Sequence, residues 1–333
     1  MRIVIISECD YAGSGQRFAQ ALRSAGHTCV QVAFRRNKYE YRVDLLAGAH
    51  NLHQVQDLID HADVVHFKGD NLPSHFPQLR TDHKPRVITM GGSAFRRPAN
   101  KYHKRPWELA LWPLAEYKRQ AHALGALTPD LLYPGLGAVW TPHATKVARR
   151  WKAPRKGEPI IIGHSPSNPE VKGTDTLVKP AVAAMKLLGH NVELRVIRGK
   201  SNAECLEAKA ACHLFIDQGI IPAYGLSAVE AMAMGIPVIT LLPEWHPHMV
   251  PCPIYGMQES SPSELYAELD RACYDMQLAY RHKVVAATLA YAERVHGYRA
   301  VAKRLTNLYR TAMARAQEKQ PRTAAARTGG PGM

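Results

Sequence analysis

Acidic residues are in short supply. The 333-residue chain has 28 Asp and Glu against 43 Lys and Arg, a formal net charge of +15 with its 17 histidines neutral. Such an excess selects no fold, but it points to an acidic partner such as nucleic acid, anionic lipid or a phosphorylated substrate. Long apolar runs are also lacking: no stretch approaches the roughly 20 residues that a membrane-spanning helix needs. The opening MRIVIISECD meets acidic residues by position 8, so it reads as a first buried strand and not as a signal peptide. The six cysteines, at 9, 29, 205, 212, 252 and 273, include no CxxC pair. That argues against a disulfide scaffold and a zinc site, and makes a reducing cytoplasm the natural setting.

What remains is a chain with 46% apolar residues, long enough for two domains of ordinary size. In its first half, short apolar runs alternate with helical stretches. Strands are expected over 2–7, 29–34, 63–67 and 86–90, with helices over 15–25 and 55–61. The first helix places Phe18, Ala21, Leu22 and Ala25 at a period of 3.6, and Gly26 follows as a C-terminal glycine should. The polar, basic stretch KAPRKGEP over 152–159 reads as a linker. Beyond it the pattern restarts, with strands over 159–163, 192–197, 213–217 and 237–241, and helices over 174–188, 203–211 and 227–234. Such a βαβα series implies parallel sheets covered by helices on both faces. The organisation expected is an α/β domain over 1–151, the linker over 152–159 and a second α/β domain over 160–285. Helices over 286–317 and a Pro/Gly/Ala-rich, disordered tail over 318–333 complete it.

In parallel sheets of this kind, ligands sit beyond the carboxyl ends of the strands, so three loops there hold the candidate chemistry. In SECDYAGSG, Gly13 and Gly15 open a helix whose backbone N–H groups favour an anion; a tight turn needing small residues explains them equally well. The third glycine of a dinucleotide fingerprint is missing, because Phe18 and Ala19 stand where it would fall. Arg35 and Arg36, in place of an acid, follow the next strand. A plain nicotinamide site is therefore disfavoured. In HSPSNPEVKGTD, Lys172 and Gly173 set an ammonium beside a flexible backbone at a helix start, which suits a diphosphate, although a lone loop lysine is commonly just solvated. In HLFIDQGIIPAYGLSAVEAMAMGIPVI, a strand ends at Asp217, Tyr224-Gly225-Leu226 forms a turn, and the next helix carries Glu230. A carboxylate on an apolar helix needs a partner, and ribose hydroxyls supply one; the alternative is a partly exposed first-turn Glu that suits the helix dipole.

YGLSAVEAMAMGIPVI resembles the donor-site signature of GT-B glycosyltransferases, family 4 in particular, and HSPSNPEVKGTD resembles the same fold's phosphate-binding loop. The C-terminal YAERVHGYRAVAKRLTNLYR resembles the family's terminal helices. The resemblance implies two Rossmann-like domains facing a cleft, with the C-terminal helices crossing back to the first. It implies a nucleotide-sugar-dependent hexosyltransferase, with a UDP- or GDP-linked donor, retention of configuration and no metal or further cofactor. Residue by residue, it implies that Glu230 holds the ribose and Lys172 neutralises the diphosphate. Gly225, Leu226 and Ser227 at a helix start assist, and Gly13 and Gly15 approach from across the cleft. His164, Ser165, Gly173 and Tyr224 belong to the same donor loops. The family's sugar-contacting Glu, eight residues before the ribose-binding one, is replaced by Pro222, and Asp217 is the candidate to stand in for it. The family's usual Arg ahead of the KG lysine is also absent, and Arg198 is its candidate replacement.

The first domain should hold the acceptor, and it is the basic half. Residues 1–155 carry 23 Lys and Arg against 12 Asp and Glu, a net of +11, which leaves +4 for the rest. Arg35 and Arg36 follow one strand. Gly92, Ser93, Arg96, Arg97, Lys101, Lys104 and Arg105 follow another, and both groups are expected at the cleft. Solvated surface explains such runs too, but two at one sheet edge favour an anionic acceptor. Either DNA, with steep salt dependence, or an anionic lipid or envelope glycan reached from the membrane periphery fits. His66 is a candidate acceptor-side polar group, or an ordinary strand-end histidine. A GT-B protein that has lost catalysis and binds an anionic polymer is the alternative reading.

Overall fold

The computed structural model describes residues 1–69, 71–91, 111–132, 137–242, 254–277 and 280–319, without the side chains of 111–114 and 319. The first sheet contains β1 (Arg2–Cys9), β2 (Thr28–Arg35), β3 (Leu45–Leu46), β4 (Val64–Lys68), β5 (Arg86–Met90), β6 (Ala123–Ala126) and β7 (Ala138–Trp140), in the order β3-β2-β1-β4-β5-β6-β7. The second contains β8 (Ile160–His164), β9 (Val192–Val196), β10 (Leu214–Ile216), β11 (Val238–Leu241) and β12 (Tyr255–Met257), in the order β12-β11-β10-β8-β9. Every strand pair in both sheets is parallel. All the strand carboxyl ends of each sheet therefore lie along one edge.

Central strands are apolar on both faces because helices cover both. In β1, Val4 and Ile6 face one core layer and Ile3 and Ile5 the other. Among the described residues, the helices of the first half are α1 (Ser14–Ser24), α2 (Leu52–His61) and α3 (Leu111–Gln120). Those of the second are α4 (Lys179–Leu187), α5 (Asn202–Ala210), α6 (Leu226–Ala233), α7 (Pro262–Gln277), α8 (Arg281–His296) and α9 (Tyr298–Lys319). The helix expected over 174–188 opens as a π-helical segment over Thr174–Val178 and continues directly as α4. Gly173 sits at φ 71° and its carbonyl accepts from Val178 in a wide turn, and Pro180 suits only the beginning of α4.

The chain itself passes between the halves at two places. The chain crosses over residues 141–147, ahead of the polar stretch 152–159. Trp151 is already packed in the second core, and its indole N–H donates to the His213 carbonyl at 3.0 Å. At the other end, α8 stays with the second domain against α6, and the chain turns at Gly297. Only α9 returns, burying Val301, Leu305, Leu308 and Tyr309 among Ile3, Ile5, Phe18 and Val64. Each such side chain contributes about 1.5–3 kcal/mol, which fastens the first domain to the C-terminal segment.

Candidate donor and cleft site

In the second domain, β8 delivers the chain to Asn168, whose side-chain oxygen accepts from the Glu170 N–H at 3.0 Å and caps the single turn Pro169–Lys172. Gly173 ends that turn in the left-handed region, where a Cβ would lie 2.7 Å from Leu177 Cδ1. The turn thereby holds Lys172 over the end of β10. Its Nζ lies 2.6 Å from Asp217 Oδ1, and Asp217 Oδ2 accepts from the Gly225 N–H at 2.6 Å. The ammonium and the helix-start N–H thus converge on one point, as a diphosphate would require, and the carboxylate of Asp217 stands at that point. Lys172 keeps 13% of its side chain exposed, whereas Asp217 keeps 1%.

Glu230 lies in the second turn of α6 and is buried. Its Oε2 is 2.6 Å from Lys209 Nζ, its Oε1 is paired with the Arg17 guanidinium, and Asn202 Nδ2 donates to Oε1 at 3.3 Å. Ser201 caps α5 in a reciprocal arrangement with Glu204, which fixes Asn202 at the helix start. Lys209, two turns on, then lies on the same face. Burial pushes the Glu230 carboxyl up; Lys209, Arg17 and the hydrogen bonds outweigh it and hold the group below the usual carboxylate range.

In the first domain the helix-start N–H groups expected for an anion are taken. Asp10, at the end of β1, accepts from Gly15 N at 2.7 Å and Gln16 N at 2.9 Å, and its backbone carbonyl accepts from Gly13 N at 3.0 Å. A buried helix N-terminus must be satisfied, and an acid from the preceding strand does it. Burial raises the Asp10 pKa against the pull of Lys68 and the two N–H groups. Lys68, buried at the end of β4, donates to Ser14 Oγ. Gly13, at φ 59°, lies under Tyr41, so close that a Cβ there would meet the ring at 2.4 Å. The Tyr41 hydroxyl accepts from Asn202 Nδ2 at 3.4 Å, which links the first domain to the second.

Three expected site residues turn inward. His66 is wholly buried, with Nδ1 2.9 Å from the Tyr309 hydroxyl and Nε2 2.8 Å from Thr89 Oγ1. Strand alternation explains this: β4 runs on to Lys68, so His66 is mid-strand on the face that α9 covers and does not reach the cleft. His164 is buried too, with Nδ1 2.9 Å from the Ile216 carbonyl and Nε2 2.9 Å from Thr174 Oγ1, so it supports the loop without facing a donor. The Tyr224 hydroxyl lies 2.8 Å from both Tyr291 Oη and His296 Nε2, away from the donor loops. His296 Nδ1 is 2.8 Å from the His143 carbonyl, which extends that cluster into the crossing segment.

Ser165 lies 3.3 Å from Cys205 Sγ, Leu226 is buried and Ser227 half-buried at the start of α6, and Arg198 is exposed beyond β9. Arg36 is exposed, and Arg35 is exposed and paired with Glu8 at 2.8 Å. Gly92, Ser93, Arg96, Arg97, Lys101, Lys104 and Arg105 lie outside the described residues. Sequence reasoning did not single out Asp10, Arg17, Lys68, Asn202 or Lys209. The serine-to-glutamate spacing 201–204 marked the start of α5, but nothing local marked the burial of Lys209. Among the described residues, no group of three or more His, Cys, Asp or Glu is placed to hold a metal ion, and no helix is long and apolar enough to cross a membrane.

Two parallel-sheet domains with their strand carboxyl ends at a shared cleft, joined by a returning C-terminal helix, have counterparts among solved structures. An alpha-glucosyltransferase in complex with UDP-glucose and DNA containing an abasic site superposes with a TM-score of 0.61 at 11% identity, covering 92% of this chain and 98% of that one. The fold is GT-B. The Anabaena protein HepE in complex with UDP-glucose gives 0.59 at 13% identity, with 92% and 98% covered. Sucrose-phosphate synthase from Thermosynechococcus elongatus gives 0.58 at 15%, with 94% and 99% covered. No family model and no curated protein matches the sequence.

Proposed function

We propose that this GT-B protein is a nucleotide-sugar-dependent glycosyltransferase of the hexosyl type, similar to family 4, with its donor site in the second domain. The observation that carries the reading is the convergence of Lys172 Nζ and the Gly225 N–H on one anionic point, with Glu230 in the following helix. Glu230 would accept from the ribose hydroxyls. Lys172 and the N–H groups at the start of α6 would receive the diphosphate of a UDP- or GDP-sugar. As the glycosidic bond breaks, negative charge grows on the departing diphosphate. A fixed ammonium and oriented N–H groups stabilise that charge more in the transition state than before it. Lysine and helix start together supply what a divalent ion supplies elsewhere, so transfer is proposed to need no metal. Retention of configuration follows from the family resemblance.

Asp217 has a double place in this scheme. It holds Lys172 and the α6 start in position, and it must yield them to the diphosphate. Once released, it is the carboxylate available to the sugar in place of the Glu that Pro222 replaces. The proposed acceptor is anionic and docks on the basic first domain; Arg35 and Arg36 lie at the carboxyl end of β2, on the cleft edge. DNA is favoured as that acceptor by the DNA-bound neighbour. An anionic lipid or envelope glycan at the membrane periphery is the competing acceptor.

The test is a panel of UDP- and GDP-sugars, scored by thermal shift and by donor hydrolysis, followed by DNA and anionic vesicles at two salt concentrations. Stabilisation and turnover with one donor are expected. Neither effect with any donor would refute the enzyme reading and favour a polymer-binding protein, the reading to which Pro222 and the Lys172–Asp217 pair lend weight.

A further inference from the structure

Glu230 is held from both domains at once. Lys209, on α5, is buried with it, and its Nζ lies 5.4 Å from the centre of the Phe215 ring. Parting these two would leave an uncompensated charge inside the second domain. Arg17 comes from α1 of the first domain. One of its nitrogens is paired with Glu230 Oε1 and the other donates to Thr145 Oγ1 at 3.4 Å, in the crossing segment. Its side chain is 14% exposed, so the guanidinium can return to water if the cleft widens. Asn202 completes the set on Oε1 and also reaches Tyr41, and the Asn202 N–H donates to the Tyr39 carbonyl at 3.4 Å.

The cross-cleft contacts on this edge therefore gather around one carboxylate oxygen. A carboxylate offers about four lone-pair positions. Lys209, Arg17 and Asn202 occupy three, so two ribose hydroxyls cannot both be accepted while all three partners stay. Of the two charged partners, Arg17 is the one that can leave without stranding a buried charge; Asn202 is neutral, fixed at the start of α5 and shared with Tyr41. We propose that Arg17 is an exchangeable clamp, holding Oε1 of Glu230 from across the cleft until the ribose of a nucleoside diphosphate takes that oxygen, while Lys209 is the positioning residue that keeps Glu230 ionised and aimed. The proposal rests on the donor reading above. It adds a residue of the acceptor domain to the control of donor affinity.

The experiment is calorimetric titration of UDP, GDP and ADP into wild type, Arg17→Gln and Lys209→Met. Lys209→Met/Glu230→Gln, which removes both buried charges, serves as the folding control. The exchange predicts opposite signs. Arg17→Gln should bind the preferred nucleotide tighter, on the order of tenfold, because a competing charged hydrogen bond is gone. Lys209→Met should bind it more weakly, and the folded double variant should stay weak. A purely structural ion pair would weaken binding in Arg17→Gln or leave it unchanged, and either result overturns the clamp alone. Binding of none of the three nucleotides by wild type or Arg17→Gln overturns the donor reading, and the clamp with it.

Discussion

The two domains build the same device at their cleft edges and finish it differently. In each, an aspartate just past a strand caps the next helix, and a lysine lies near it. In the first domain Asp10 accepts from two helix N–H groups and is 1% exposed, and Lys68 turns to Ser14. In the second, Asp217 accepts from one N–H and shares its other oxygen with Lys172, which is partly exposed. The first is a closed cap whose donors are used up. The second is an ion pair that an incoming anion can enter from solvent. The difference teaches that a glycine-opened helix at a cleft is an anion site only if its own chain leaves the N–H groups exchangeable.

The comparison can be broken most forcefully at the second domain. Lys172→Ala is expected to lower transfer by about 10²–10³-fold with an unchanged circular dichroism spectrum. Glu230→Gln should do likewise. Either Glu230→Gln or Glu230→Ala leaves the buried Lys209 charge without its counter-ion and is expected to cost about 3–5 kcal/mol of stability. Full activity in Lys172→Ala and Glu230→Gln together would refute the donor site.

Acid should act on both domains alike. Burial lowers the pKa of His66 to about 3 and of His164 to about 4, and His296 between the domains to about 3, from an ordinary 6.5. Below about pH 6.5 the unfolded chain therefore binds more protons than the folded one. Stability is fully present above that pH and falls as pH drops toward 4, by up to about 1.4 kcal/mol per pH unit for each histidine. Urea midpoints at pH 7 and 5 check this; equal midpoints would contradict the buried neutral histidines. Next in size, Asp10→Ala should cost about 1–3 kcal/mol in a urea titration, for a lost cap and two orphaned N–H groups. The smallest effect is expected for Arg35→Ala. Its pair with Glu8 is more than half exposed on both sides, so thermal stability should barely change, while any binding of DNA should weaken and its salt slope fall by about one.

Most of the sheet framework was legible, because parallel strands are apolar on both faces and alternate with amphipathic helices. The strands missed are short or weakly apolar: Leu45–Leu46, Ala123–Ala126, Ala138–Trp140 and Tyr255–Met257. Lys172 and Glu230 were legible because glycine turns and a helix start bracket them. Arg17 and Lys209 were not, since their partner lies more than 200 positions away for one and in another helix for the other. His66 was misjudged as a strand-end residue: β4 runs on to Lys68, and alternation turns His66 into the core beside Tyr309. Asp10 reads as one acid before a glycine-rich turn, and only the folded loop shows it taking the helix-start N–H groups that Gly13 and Gly15 were expected to offer an anion.

The most direct test is calorimetric titration of the preferred nucleoside diphosphate into wild type, Asp217→Asn and Asp10→Asn. If the second domain's ion pair is the exchangeable anion position and the first domain's cap is not, Asp217→Asn binds more tightly than wild type and folded Asp10→Asn binds the same. Unchanged or weaker binding by Asp217→Asn, or an equal gain in both variants, would contradict the account.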